Sequence, residues 1–600
     1  MNPFEVESPE RLNANQVCEL FIKENSGIEV LQKRKHTFVW GPRGSGKSML
    51  LRYLEPQCQF LVHSTAIGQP DLAIAAKDFL QKPNAYVGIR ITCKEGYFNK
   101  SELQLLDNAA SQIITEHMMN LSIASALFST LEQQFPPSLF ELSDKQRLAK
   151  LVSALFDSSS ISDSRKSADG LYSMEDTPFQ WAQHLFASEL RKLGSFLRQT
   201  AFPDGKVVYS GSTSGYHDFL LPLAQYVNAL PALSTAPLYF LVDDADRLKE
   251  QQQRIINSWM SNRDQSVICI KAAAQIHEYK SFRTRDGWDL ETPHDYSEIN
   301  IEELYSNQQD TYSQKVYAIM KRRLEIAKID RTPEEYLPSD PEQERLLIEA
   351  RQSARQEWET SGTPGKESDF VHRYAVARLF QELRRTKKRR NYAGFHNLVH
   401  LSSGVVRYFL EPCYLMYDEM VERNRTEELK TAIPPDVQQK VIFEYSEEFL
   451  LNTFEKIRKD IDPSQVTVLE KLHRLISSLG ELFYERLTDP TSREVRIFSF
   501  TITGGPSEKA REVINLGLRY RYFQLRSYSK KEGGGREHWY ILNRRLCPVF
   551  KLDPTGFEGR ISIRSDLLDL ALEDPTKFVK LRLKQGSDSQ QELSFDEESR

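Results

Sequence analysis

The stretch Gly41-Pro42-Arg43-Gly44-Ser45-Gly46-Lys47-Ser48 constrains this chain more than any other. It fits the pattern G-x-x-x-x-G-K-S without a mismatch, and its flanks suit the pattern. His36-Thr37-Phe38-Val39-Trp40 reads as a short buried strand, and Met49-Leu50-Leu51-Arg52-Tyr53-Leu54 reads as the helix that follows. Strand, glycine loop and helix together are what a phosphate-binding loop requires. Glycines let the backbone wrap closely around phosphate oxygens with its N–H groups pointing inward. The start of the helix adds partial positive charge. In this arrangement Lys47 bridges the β- and γ-phosphates and the Ser48 hydroxyl holds Mg²⁺. Residues Gly41 to Met49 are therefore the candidate nucleotide-binding segment, with ATP and Mg²⁺ as the expected cofactors.

A chain of 600 residues predicts more than one domain. With 40% hydrophobic and 27% charged residues it has the balance of a globular protein in water. The net charge of -5 excludes a polycation, so any nucleic-acid contact has to come from a local patch. No apolar run approaches the length of a membrane span, and Met1-Asn2-Pro3-Phe4-Glu5 lacks the basic and apolar regions of a signal peptide. The six cysteines (Cys18, Cys58, Cys93, Cys269, Cys413 and Cys547) are scattered, and none has zinc-ligand spacing. The expectation is a cytoplasmic protein with no membrane partner.

Residues 1–35 form an N-terminal segment with a predicted helix over 15–24. Such a segment either lies beside a bound base or simply packs. Tyr86-Val87-Gly88-Ile89-Arg90-Ile91-Thr92 reads as a second core strand. Helical periodicity follows over 103–119, 124–134, 144–156 and 179–197, with a polar loop over 158–166. That is more than one crossover helix needs, so about 94–230 is read as a helical insertion. Leu238-Tyr239-Phe240-Leu241-Val242-Asp243-Asp244 is an apolar run ending in acids, as a buried parallel strand does when it delivers carboxylates to its C-terminal edge. Asp243 would organise the Mg²⁺ shell and Asp244 would polarise the attacking water. Residues 266–271 and 296–301 read as further strands. Gln275, after the first of them, sits where a γ-phosphate sensor could stand. Arg283 and Arg285 are either surface arginines or fingers acting on a neighbouring subunit's nucleotide.

The stretch 301–422 is helical and heavily charged. Arg384-Arg385-Thr386-Lys387-Lys388-Arg389-Arg390 either binds a polyanion or is a solvated helix end. His396 and His400 read as packing residues. Beyond 435, two long helices (437–461 and 464–487) precede a strand, a helix over 507–518 and a hairpin with a basic, glycine-rich tip. The order is close to a winged helix, although a helix-turn-helix needs two helices before the wing and one is visible. Arg519, Arg521, Lys530, Lys531 and Arg536 are the candidate contacts to double-stranded DNA, interleaved with Tyr520, Tyr522, Phe523 and Tyr528. A protein-interaction module on the same scaffold is the other reading.

The glycine loop at 41–48, the acids at 238–244, Gln275 and Leu401-Ser402-Ser403-Gly404-Val405-Val406-Arg407 together resemble an AAA+ ATPase. The last stretch is similar to the sensor 2 helix of the lid, which implies that Arg407 reports on the γ-phosphate. A lid followed by a winged-helix region looks most like the origin-recognition (initiator) branch. The resemblance implies an α/β fold with these parts: a P-loop AAA+ core with a parallel sheet over 36–301, a helical lid with a charged insertion over 302–430, a winged-helix-like domain over 431–582 and an acidic tail over 583–600. It also implies a homo-oligomer. Asp244 stands where the family usually has Glu. A side chain one methylene shorter implies slow hydrolysis or a nucleotide-controlled switch. The Asp-Asp-Ala-Asp pattern is also similar to the STAND signalling ATPases, which implies as an alternative an ATP-gated scaffold that oligomerises with a protein effector and does not bind DNA. The two large insertions fit a specialised machine, such as one in mobile-element maintenance or anti-phage defence.

Overall fold

In the computed structural model the chain forms two compact units, Glu7–Lys315 and Met1–Val6 with Val316–Arg600. The structure describes all residues except 1, 7, 25, 94–99, 160–176, 203–208, 210, 263–266, 303–308, 362–365, 425–429, 491, 493–495, 530–535, 557–558 and 589–600. Among the described residues, no helix is long and apolar enough to cross a membrane.

The unit Glu7–Lys315 is built on five parallel strands: β1 (Thr37–Trp40), β2 (Val87–Thr92), β3 (Leu238–Asp243), β4 (Ile268–Ala274) and β5 (Ser297–Asn300). Their order in the sheet is β2-β3-β4-β1-β5. Every residue of β1, β3 and β4 is buried, which accounts for their unbroken apolar runs. With β4 between them, β1 and β3 end at the same edge of the sheet, where open α/β sheets bind ligands. Helix α1 (Ala14–Leu20) precedes β1 and is capped reciprocally by Asn13 and Gln16. Helix α2 (Lys47–Tyr53) leaves the glycine loop, and α3 (Pro56–Ile67) and α4 (Leu72–Leu80) lead to β2.

Helices α5 (Asn108–Gln133), α6 (Leu142–Ser159), α7 (Pro178–Gln199) and α8 (Leu221–Asn228) lie between β2 and β3, and α9 (Glu250–Ser261) lies between β3 and β4. The two helices expected over 103–119 and 124–134 are one. Leu121, Ile123 and Ala124 continue the buried stripe of α5, and neither Gly nor Pro interrupts it. Met119 and Ile123 of α5 share one hydrophobic core with Ile91, Phe240 and Ile270 of the sheet. The loop expected over 158–166 falls largely outside the described residues.

Helix α10 (Gln309–Ile326) spans the division between the units. The second unit continues with α11 (Pro341–Ser361), α12 (Glu367–Arg385), α13 (Phe395–Leu401), α14 (Val406–Asn424), α15 (Pro435–Asp460) and α16 (Val466–Thr488). A four-stranded sheet follows, of β6 (Ile497–Thr503), β7 (Phe523–Ser529), β8 (Arg536–Leu542) and β9 (Gly559–Arg564), in the order β7-β8-β6-β9. One helix, α17 (Glu508–Arg519), separates β6 from the β7–β8 hairpin, and Tyr520-Arg521-Tyr522 turns straight into β7. The sheet gains β9, parallel to β6, and then α18 (Ser565–Glu573) and α19 (Pro575–Asp588). Phe4, from the first residues of the chain, is fully buried against Tyr336 and Tyr417 of this unit.

Two positions make the first unit's core testable. Gly88 faces the end of α2: a Cβ there would lie 2.3 Å from the Leu54 carbonyl oxygen. Gly88→Ala is expected to lower unfolding stability by about 1–3 kcal/mol in urea titration, because backbone has to move. Lys271 of β4 is buried and donates to the carbonyls of Lys33 (2.7 Å) and Lys35 (2.6 Å). Burial pulls its ammonium down to about 7. The unfolded chain therefore holds one more proton than the folded chain from about pH 7 up to the ordinary lysine range. Stability should rise with pH across that window, by up to about 1.4 kcal/mol per pH unit. Lys271→Met should remove this rise, as read from urea titrations at pH 7 and 9.

Candidate nucleotide site

The glycine loop is shaped by its sequence. Gly44 and Gly46 adopt φ of 87° and 100°, values open to glycine and strained for other residues. A Cβ on Gly46 would meet nothing within 4 Å, whereas one on Gly41 would meet Ser45 Oγ at 2.7 Å. The loop thus needs a bare backbone at Gly41 for packing and at Gly46 for conformation. Lys47 is buried, and its Nζ donates to the carbonyls of Gly41 (2.8 Å) and Pro42 (3.0 Å). Ser45 Oγ is buried with no hydrogen-bond partner. The Arg43 side chain is exposed and Met49 is half-buried. The first-turn amides of α2 have no carbonyl partner within the helix.

β3 brings its acids to the same place. Ser48 Oγ donates to Asp243 Oδ1 at 3.0 Å, and the Asp244 amide donates to that same oxygen at 3.1 Å. Asp243 is fully buried. Burial, and then the neighbouring Asp244 charge, push its pKa up, while Arg90 and the Ser48 hydroxyl pull it back. Asp244 turns the chain at φ 55°, in the left-handed region. Gln275, just past β4, donates its amide N–H to Asp246 Oδ1 at 3.0 Å and its side chain to Oδ2 at 3.4 Å.

These residues fit a nucleotide and its metal. A cradle of glycine backbone, a buried lysine whose ammonium donates to carbonyls of that same loop and an unpartnered buried hydroxyl are what a polyphosphate would satisfy. A hydroxyl beside a carboxylate is an oxygen donor pair suited to Mg²⁺.

One participant is not recognisable by motif. Arg90 of β2 reaches across to Asp243 Oδ2 at 3.4 Å, and its other neighbours are Glu10 (3.2 Å) and Glu55 (3.9 Å). Arg52 of α2 pairs with the same Glu55 at 3.3 Å and donates to the carbonyls of Pro9 and Leu12. The N-terminal segment is therefore tied to the loop's helix and, through Arg90, to Asp243. The available signal was a cation inside an otherwise apolar strand run, Ile89-Arg90-Ile91.

Arg285 is held by Glu116 of α5, which also accepts from Trp259 Nε1 at 3.2 Å and the Tyr216 amide at 3.3 Å. Arg283 makes an exposed pair with Asp289 at 3.0 Å. Arg407 belongs to the second unit, in the first turn of α14, with Glu411 3.9 Å away. His400 is half-buried, and desolvation among its neighbours pulls its pKa down to about 4. Arg519 ends α17 with its guanidinium 5.6 Å from the Tyr520 ring, and Arg521 precedes β7 at φ 64°. Lys530 and Lys531, and the side chain of Arg536, lie outside the described residues. Tyr522 and Phe523 are fully buried: Tyr522 stacks on Phe449 and donates to its carbonyl at 3.0 Å. Both are core residues, not base contacts. In the basic run, Arg384 pairs with Glu485, Arg385 with Glu382 and Lys388 with Glu342.

Arg90→Gln leaves Asp243 and Glu55 without their shared cation. Breaking a largely buried pair should cost on the order of 3 kcal/mol, measurable as an earlier urea midpoint.

A family model described as ORC-CDC6-like matches residues 2–359 and 344–563. No curated protein matches the chain. The glycine loop, the acids of β3 and the five-stranded parallel sheet agree with this match across nearly the whole length, and the chain belongs to the ORC-CDC6-like family of AAA+ ATPases.

Proposed function

We propose that the chain binds ATP with Mg²⁺ and hydrolyses it, and that nucleotide state governs DNA binding or assembly into an oligomer. The observation that carries the reading is the meeting of Ser48 and Asp243 at 3.0 Å, beside a buried Lys47. Mg²⁺ bound there would neutralise charge on the β- and γ-phosphates. Lys47 would leave the carbonyls of Gly41 and Pro42 for the phosphates, and the backbone amides of Gly44 to Ser48 would surround them. Asp243 holds the metal side. Asp244, on its left-handed turn, orients water as general base, and Gln275 follows the change through Asp246. Arg407 is proposed as the second unit's reporter of the γ-phosphate. Of the two loop arginines, Arg283 suits action on a neighbouring subunit better: its pair with Asp289 is exposed, whereas Arg285 is held by the mostly buried Glu116.

The test is the ATP hydrolysis rate of the full chain with and without duplex DNA. Lys47→Ala should abolish binding. Asp244→Asn should keep binding and lower the rate by about a hundredfold or more. Stimulation by DNA, lost in Asp244→Asn, supports a DNA-coupled ATPase. Reversing the charge of Lys530, Lys531 and Arg536 should then weaken DNA binding and flatten its salt dependence. A low rate indifferent to DNA favours the switch that awaits a protein effector. A Lys47→Ala chain with unchanged affinity and rate overturns the proposal.

A further inference from the structure

A cavity of about 910 Å³ opens in the second unit between α11, α12 and the stretch from Arg390 to His400. None of its lining residues belongs to the glycine loop, and its size is in the range of small-molecule sites. Most charges on its wall are matched. Arg355 pairs with Glu367 at 2.6 Å and Arg496 with Asp553 at 2.7 Å. Asp340 accepts from Asn391 Nδ2 and from the Gln343 amide, each at 2.9 Å.

Arg390 is different. Its Nη1 donates to the neutral Gln343 Oε1 at 2.9 Å, and its guanidinium lies 5.9 Å from the Phe380 ring. Its Nε is shut away from solvent with no hydrogen-bond partner. Among the described residues, no carboxylate lies within ion-pair distance of it; Asp553 and Asp340 act on it from further off, and burial pulls its pKa below the ordinary arginine value. A half-buried cation with no hydrogen-bonded counter-charge carries a cost, and a phosphate matches the planar fork of an arginine. Arg351 lines the same cavity, also without an ion pair among the described residues, as does one unmatched acid, Glu344. Trp358 adds an aromatic ring to the wall.

We propose that this cavity binds a phosphate-bearing small molecule of nucleotide size, its phosphate held by Arg390 and Arg351 and its ring against Trp358. The site is independent of the ATP reading, because none of its residues belongs to the glycine loop or to β3.

The test is calorimetric titration of the full chain carrying Lys47→Ala, so that the glycine loop does not compete, with AMP and with inorganic pyrophosphate. Both should bind saturably. Arg390→Gln should weaken both by about tenfold or more, the loss of one charged hydrogen bond. Arg351→Gln should weaken both by a smaller factor, and Trp358→Ala should weaken AMP alone. Arg351 is exposed, so its variant keeps the test decisive even where Arg390→Gln does not fold. Absence of AMP and pyrophosphate binding at millimolar concentration overturns the proposal. So does binding that neither arginine change affects, or salt-dependent duplex DNA binding that these arginine changes abolish while AMP does not bind.

Discussion

Ser48 and Asp243 are 195 residues apart in sequence and 3.0 Å apart in space. That one contact sets the terms for the unit around it. It requires β1 and β3 to end at the same edge with β4 between them, and it requires everything from α2 to α8 to leave the sheet and return without displacing either end. The close approach of β2 to Leu54 at Gly88 and the burial of α5 against the sheet are how the chain meets that demand. Asp243 is held in a dry place by donors: the Ser48 hydroxyl, its own neighbour's amide and the Arg90 guanidinium. These donors pull against the burial and the Asp244 charge that raise its pKa.

Much of this was legible from residues alone, and the reason is local. Gly44, Gly46, Lys47 and Ser48 work through backbone conformation and reach within one loop, so their spacing carries their meaning. The run into Asp243 is similar, because a central parallel strand needs an unbroken apolar sequence. Arg90 was not legible as part of the site, since its role depends on Glu10, Glu55 and Asp243 arriving from three other segments. β9 was legible and overlooked. Gly559-Arg560-Ile561-Ser562-Ile563-Arg564 alternates cleanly, and its burial alternates with it along the strand. The aromatic residues around the β7–β8 hairpin show the opposite limit. Tyr522 and Phe523 sit among arginines in sequence, yet their rings face Phe449 and Phe500 in the core.

The basic run at 384–390 shows how composition can mislead in charge as well. Read as a string it is either a polyanion site or a solvated helix end. Folded, Arg384, Arg385 and Lys388 each find a carboxylate on their own or another helix. Arg390 alone turns inward to a neutral amide. The chemistry of such a run is decided residue by residue, by what the neighbouring helices offer, and its total charge says little.

Glu116 carries a consequence for how the first unit holds together. It sits on α5, between β2 and β3, and it serves Trp259 of α9, the backbone at Tyr216 and Arg285 in the loop before β5. Shortening α5 past Glu116 would leave the Trp259 indole N–H and the Arg285 guanidinium without their shared carboxylate, so a change between β2 and β3 is felt between β3 and β5.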